Sequence, residues 1–146
     1  VGRKTVEADN PSLTSHGVGP DPQVVILDPS RKIDKQYSAF KKNTIHFTDE
    51  LSNSKPEKNI QKILSKLYSL NIQSVLVEGG AKTLTGFIDS GSFDEIHAYF
   101  APKLIGEGIS IYNSKKKIAD SLNLDIVKHE TFDNDIKITY YNKKAK

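Results

Sequence analysis

The chain has 146 residues and a formal net charge of +3, a length that supports one hydrophobic core and one domain. It has no cysteine, which excludes disulfides, thiolate zinc sites and cysteine nucleophiles, and its four separated histidines lack the paired spacing of a metal site, so no metal is expected. Apolar runs of a few residues cannot span a membrane, and the clusters Lys115-Lys116-Lys117 and Lys143-Lys144-Ala145-Lys146, with no interleaved aromatics, read as solvated surface rather than a nucleic-acid face; a cytoplasmic setting is the default.

A chain without methionine that opens on Val1-Gly2 reads as one that starts inside a domain. "QVVILD", Gln23 to Asp28, is a short β-branched run between "GPDP" and "PSRK", which predicts a buried strand. "NTIHFTD", Asn43 to Asp49, alternates Ile45 and Phe47 with polar neighbours and predicts a half-buried strand. "PEKNIQKILSKLYSL" starts on Pro56 and carries Ile60, Ile63, Leu64, Leu67 and Leu70 on one helical face. A strand "SVLVE", Ser74 to Glu78, is expected next. A helix over Ala81 to Ser90 then carries Leu84, Phe87 and Ile88 and stops at Gly91. "DEIHAYFAPKLIG" alternates Ile96, Ala98 and Phe100 as a strand. "LDIVKHETFDNDIKITYYN" reads as a hairpin about Asp133-Asn134-Asp135. Strands alternating with helices, then a hairpin, predict an α/β domain with a mostly parallel mixed sheet, flanking helices and an antiparallel C-terminal hairpin.

The junction "VLVEGGAKTLTGFIDSG" carries more chemistry than a plain connection. Two glycines before a helix let a phosphate approach backbone N–H groups at the positive end of a helix dipole. Thr83 and Thr85 add hydroxyl donors, and such crevices lie at the carboxyl ends of strands, where ligands bind in open α/β sheets. Glu78 would repel a phosphate, so it suits the hydroxyl or amino groups of a second ligand. The plainer alternative is a tight turn with a surface glutamate. Upstream, "VGRKTVEADNPSLTSHG" restricts the backbone at Asn10-Pro11 and places Asp9, Thr14, Ser15 and His16 in one polar stretch. By itself that stretch also reads as an ordinary polar loop.

Taken together, "VGRKTVEADNPSLT", "VVILDPSR", "VLVEGGAKTLTGFIDSG" and "DEIHAYFAPKLIG" resemble the reductase domain of riboflavin biosynthesis, the C-terminal half of the bifunctional deaminase/reductase (the RibD C-terminal family). The resemblance runs from Val1 to about Ile111 and implies a dihydrofolate reductase-like fold, with an N-terminal strand and helix that would precede Val1 and include a lysine. It implies reduction of a ribosylaminopyrimidine 5′-phosphate to its ribitylamino counterpart, with hydride from NADPH. Thr5 and Asp9 match cofactor-contacting positions, as do Pro29 and Ser30 near the cofactor's adenosine end. Gly79 and the run Gly80, Ala81, Lys82, Thr83, Leu84, Thr85 and Gly86 match the turn and helix start around the cofactor phosphates. Leu13, His16 and Glu78 match substrate-contacting positions, with Glu78 the candidate catalytic residue.

Many family members carry arginine at the position of His16, whose charge would depend on pH near neutrality. Arg31 reads either as a partner of a 2′-phosphate or as a solvated loop residue. His46 and His97 read as packed or surface-facing strand residues. The resemblance also implies a homodimer and allows an upstream zinc deaminase domain, whose histidine-cysteine-cysteine ligand set these residues do not supply. The rival readings are a stand-alone diaminopyrimidine reductase acting before deamination, a pterin or folate reductase of the same fold, and an NADPH-binding module without catalysis.

Overall fold

The apolar run at Gln23–Asp28 is unbroken because its strand is covered on both faces. The structure, a computed structural model, describes residues 1–41, 43–48, 51 and 56–143, with only the backbone at 56, 57 and 118; Asp49, the last residue of the second predicted strand, and Lys144–Lys146 lie outside the described residues. Strand β1 (Val25–Leu27) pairs in parallel with β2 (Ile45–Phe47), with Val25 opposite Ile45 and Leu27 opposite Phe47. Successive side chains alternate across the pleat. Val24 and Ile26 therefore pack with Ile33, Ala39 and Val6, the last from helix α1 (Arg3–Asp9). Val25 and Leu27 turn the other way, onto a cluster of Phe47, Leu51, Ile60, Ile63, Leu67 and Phe87. A parallel pair with helices on both faces is the layered arrangement that such a run requires.

Helix α2 (Pro56–Ser69) begins on the proline, a residue preorganised for a first helical position. Ile60, Ile63 and Leu67 are buried on its inner face. Leu70 departs from the expectation that it shares this face: the helix ends at Ser69, Asn71 has φ 60°, and Leu70 is exposed. Helix α3 (Ala81–Asp89) ends in paired bonds from Gly91 N–H to Ile88 O and from Ser92 N–H to Phe87 O, with Gly91 at φ 67°. Those two bonds satisfy carbonyls that the helix end would otherwise leave open.

Gly86 is buried where α3 meets α2, and a Cβ built on it would lie 3.7 Å from Ile60 Cδ1, an ordinary contact. Gly86→Ala is therefore expected to stabilise the protein by about 0.5–1 kcal/mol, through the smaller entropy loss of alanine in a helix. A rightward shift of the urea midpoint at unchanged slope checks it.

A second sheet is antiparallel, in the order β3 (Glu95–Phe100), β5 (Asp135–Asn142), β4 (Leu124–Phe132). The predicted hairpin turns at Asp133–Asn134, with Asp133 at φ 50°, and a bulge falls between Ile126 and Lys128. Ile96, Ala98, Phe100, Ile136, Ile138, Tyr140 and Ile126 share one face, and Phe100, Ile126 and Ile136 on it are exposed. Buried Asn142 fastens this sheet to the end of α3, donating from Nδ2 to Gly91 O at 3.4 Å and Phe93 O at 3.0 Å.

The α/β architecture thus holds a parallel and an antiparallel ladder as separate pieces. The expectation of a strand at Ser74–Glu78 is corrected. The segment has no ladder partner among the described residues, and Leu76 is 79% exposed. Its one anchor in the core is Val77, packed against the α2–α3 cluster. β propensity without a hydrogen-bonding neighbour does not make a strand.

Candidate functional site

The starts of α1 and α3 are locked together. Thr5 sits in the first turns of α1, and its Oγ1 accepts a hydrogen bond from Gly80 N–H at 2.9 Å. A Cβ on Gly79 would lie 2.6 Å from Thr5 Oγ1 and 2.8 Å from its Cγ2. A Cβ on Gly2 would lie 2.7 Å from Thr83 Oγ1. The sequence expectation that bare backbone at Gly79 and Gly80 lies open to a phosphate therefore needs correction: Thr5 fills the space beside Gly79 and takes the N–H of Gly80. The donors left at this turn are the N–H groups of Gly79, Ala81 and Lys82, which have no partner among the described residues. Since Thr5 Oγ1 accepts from Gly80, its own hydroxyl proton remains free to donate. Thr83 stands beside them on the first turn of α3. These neutral donors at a helix start match an anion such as a diphosphate.

Behind this turn lies a groove of about 540 Å³ between β1 and the extended Ser74–Glu78 segment. Leu13, His16, Glu78 and Thr83 all line it. Leu13 and His16 come from a loop with an unusual backbone, in which Asn10, Leu13 and His16 have φ of 42°, 49° and 51°. Left-handed backbone at a non-glycine residue costs about 1–2 kcal/mol and persists only where surroundings hold it. Here Asp21 receives Ser15 N–H at 2.9 Å, Lys41 Nζ reaches Leu13 O at 3.4 Å, and Asn10 Oδ1 accepts from Ser38 N–H at 2.8 Å. The Ser15 backbone bond, with Lys41 nearby, holds the Asp21 carboxyl below its ordinary value. On the far side Glu78 is exposed, and Val1 N donates to Val25 O at 2.9 Å at the groove's edge.

A third part of the arrangement centres on Asp28, whose side chain is fully buried at the carboxyl end of β1. Its Oδ1 accepts from Ser30 Oγ at 2.7 Å and Ser30 N–H at 3.2 Å, and its Oδ2 accepts from Ile33 N–H at 3.0 Å. Arg3 Nε lies 3.4 Å from the same Oδ1, while its Nη1 holds Glu7 at 2.6 Å. His46 Nε2 stands 3.6 Å from Oδ2 and has no hydrogen-bond partner among the described residues. Burial pushes the Asp28 carboxyl up, but hydrogen bonds from Ser30 and Ile33, with the Arg3 guanidinium nearby, hold it below the ordinary carboxylate value. Pro29 and Ser30 are thus placed by a buried anion that also grips α1.

The structure brings Leu13, His16 and Glu78 to one groove, and Thr5, Gly79, Gly80, Ala81, Lys82 and Thr83 to one turn beside it. Asp9 is exposed at the end of α1, one helical turn from Thr5. The remaining positions are set apart. Leu84 is half-buried, Gly86 packs on α2, and Thr85 Oγ1 accepts Asn113 N–H at 2.9 Å from a loop also tied to Asp89 by Tyr112 and Ser114. Arg31 is exposed with φ 53°, its N–H donating to Asp28 O at 3.1 Å. Arg3 and Asp28 went unnoticed in the sequence. The available signal was a carboxylate closing an apolar strand, where a buried charge demands partners.

Known proteins match this arrangement along nearly its whole length. The family model described as the RibD C-terminal domain matches residues 1–138. A riboflavin biosynthesis protein RibD from Aquifex aeolicus is 36% identical over 96% of this chain, and the match covers 45% of that protein. A solved diaminohydroxyphosphoribosylaminopyrimidine deaminase/5-amino-6-(5-phosphoribosylamino)uracil reductase from Thermotoga maritima superposes with a TM-score of 0.81 at 28% identity, covering 97% of this chain and 44% of that one. A 2,5-diamino-6-ribosylamino-4(3H)-pyrimidinone 5′-phosphate reductase from Methanothermobacter thermautotrophicus is 22% identical over 96% of this chain and 77% of its own length. The chain therefore spans about half the length of the bifunctional relatives and most of the length of the reductase. With the family model matched over residues 1–138, on the same dihydrofolate reductase-like fold, the chain belongs to the RibD C-terminal domain family.

Proposed function

We propose that residues 1–146 belong to a single reductase domain that reduces 5-amino-6-(5-phosphoribosylamino)uracil to 5-amino-6-(5-phosphoribitylamino)uracil with NADPH. The observation that carries this reading is the meeting of Leu13, His16 and Glu78 in one groove whose rim, at Thr83, continues into the α1–α3 turn. A substrate and a dinucleotide that exchange hydride must lie side by side in a shielded site.

The residues divide the work by chemistry. The Ala81 and Lys82 N–H groups, with the Thr5 and Thr83 hydroxyls, suit the diphosphate; Pro29 and Ser30 suit the adenosine end. NADPH, when bound, supplies the hydride that reduces C1 of the ring-opened ribose. Glu78 accepts hydrogen bonds from the amino or hydroxyl groups of the substrate and fixes its orientation. Leu13 supplies an apolar wall, and His16 donates to the substrate phosphate, most strongly when protonated. The exposed apolar face of the β3–β5–β4 sheet supports a homodimer, and a phosphorylated substrate with NADPH supports a cytoplasmic setting.

The test is NADPH oxidation by the chain with the deaminated and undeaminated ribosylaminopyrimidine phosphates side by side. Turnover with the deaminated compound is the expected result. Preference for the undeaminated one would assign the activity named for the Methanothermobacter relative. Tight NADPH binding without turnover on either would leave a binding module in place of an enzyme.

A further inference from the structure

We propose that Asp28 is a positioning residue of the cofactor pocket, acting through Ser30, whose hydroxyl and N–H it holds at the carboxyl end of β1. The inference rests on the reductase reading above. A charge removed completely from water is retained only when its neighbours repay it. The hydrogen-bond and ion-pair partners of Asp28 lie on the 29–33 loop and, through Arg3, on α1, while His46 of β2 stands 3.6 Å away.

The consequence for Ser30 is specific. Both of its donors are committed to Asp28, at 2.7 Å and 3.2 Å. A hydroxyl that has given up its proton keeps its lone pairs. Ser30 is therefore presented to a ligand as an acceptor, matched to a ribose hydroxyl or the adenine amino group and not to a phosphate oxygen. Arg3 shares the same carboxylate oxygen, so the loop and the first turn of α1, two residues before Thr5, are held as one unit. Losing the Asp28 charge frees the Ser30 hydroxyl to rotate and loosens the loop from α1, the helix that carries Thr5.

NADPH titrations and substrate kinetics on the chain and its variants test this. Ser30→Ala is expected to weaken NADPH binding about fivefold to tenfold, as loss of one neutral hydrogen bond implies, while Ser30→Thr, which keeps the hydroxyl, stays within about twofold. Asp28→Asn is expected to raise the NADPH Kd and KM by about tenfold, with kcat at saturating NADPH within about twofold. The double variant is expected to be no weaker than the worse single one, because both act on the same contact. Additive losses in the double variant, or an unchanged Kd for Ser30→Ala, overturn the proposal. Asp28→Glu is made in parallel. If neither Asp28 variant folds, Asp28 belongs to the fold and not to the pocket, and the proposal also fails. Absence of NADPH binding by the unaltered chain is a different result, since it removes the reductase reading itself.

Discussion

Glu78→Gln is expected to lower kcat/KM for the ribosylaminopyrimidine phosphate by about 10- to 100-fold, while the NADPH Kd stays within about twofold. Glutamine keeps the length and shape of the side chain but replaces one carboxylate oxygen with a donor and removes the charge. Hydrogen bonds to charged groups contribute about 1.5–3 kcal/mol, which sets that range. Glu78 carries a negative charge and lines the groove with Leu13 and His16, whereas the free donors for a diphosphate are the backbone N–H groups of Gly79, Ala81 and Lys82. The two ligands should therefore respond separately. Glu78 is exposed and its partly buried charge neighbour, the Val1 ammonium, keeps its bond to Val25 O, so the melting temperature should move little. Equal losses in NADPH and substrate binding would place Glu78 in the cofactor turn; no loss in either would remove it from the site.

Gly79→Ala is expected to destabilise the protein by about 2–5 kcal/mol and to weaken NADPH binding with it. Two separate penalties meet at this residue. Its φ of 88° lies where a side chain is strained. In addition, the new methyl would stand 2.6 Å from Thr5 Oγ1 and 2.8 Å from Thr5 Cγ2. Relief by moving Thr5 breaks the Gly80 N–H bond and separates the two helix starts. A second substitution separates the penalties. Thr5→Ala in the Gly79→Ala background should recover about 1–3 kcal/mol of stability, by removing the two closest overlaps and leaving the Cβ contact at 3.0 Å and the backbone strain. It should recover none of the NADPH affinity, because the Thr5 hydroxyl goes too. Gly80→Ala is the contrast: a Cβ there would meet only Thr5 Oγ1, at 3.5 Å. Urea unfolding of the four proteins checks the stability order, and full rescue by Thr5→Ala would show the strain at φ 88° to be immaterial.

Periodicity in the chain was enough to locate α2 through Ile60, Ile63 and Leu67, α3 through Phe87 and Gly91, and the hairpin through its Asp133–Asn134 turn. These are local decisions, in which side chains a few residues apart determine which backbone conformation buries apolar surface. The motifs "VGRKTVEADNPSLT" and "VLVEGGAKTLTGFIDSG" likewise carried the family, because they preserve residue types in order and need no coordinates. Ser74–Glu78 shows where that stops. Its residues favour a strand, but a strand exists only if another edge is available to pair with, and neither ladder takes it in.

The same distinction holds within the candidate site. Glycine at position 79 was legible as a residue that permits close approach, but not what approaches. The approaching group is Thr5, 74 residues away in the chain, counting from position 79 back to position 5. Asp28 was visible as the last letter of a strand, yet its burial against Ser30, Ile33, Arg3 and His46 depends on α1 and β2 folding over it. Sequence alone determined α2, α3, the C-terminal hairpin, the family and the residue types able to bind a phosphate or a pyrimidine. Tertiary structure decided which N–H groups remain free, which hydroxyl donates and which accepts. Hydrogen-bond capacity is used up by partners distant in sequence, so it can be counted only after the chain has folded.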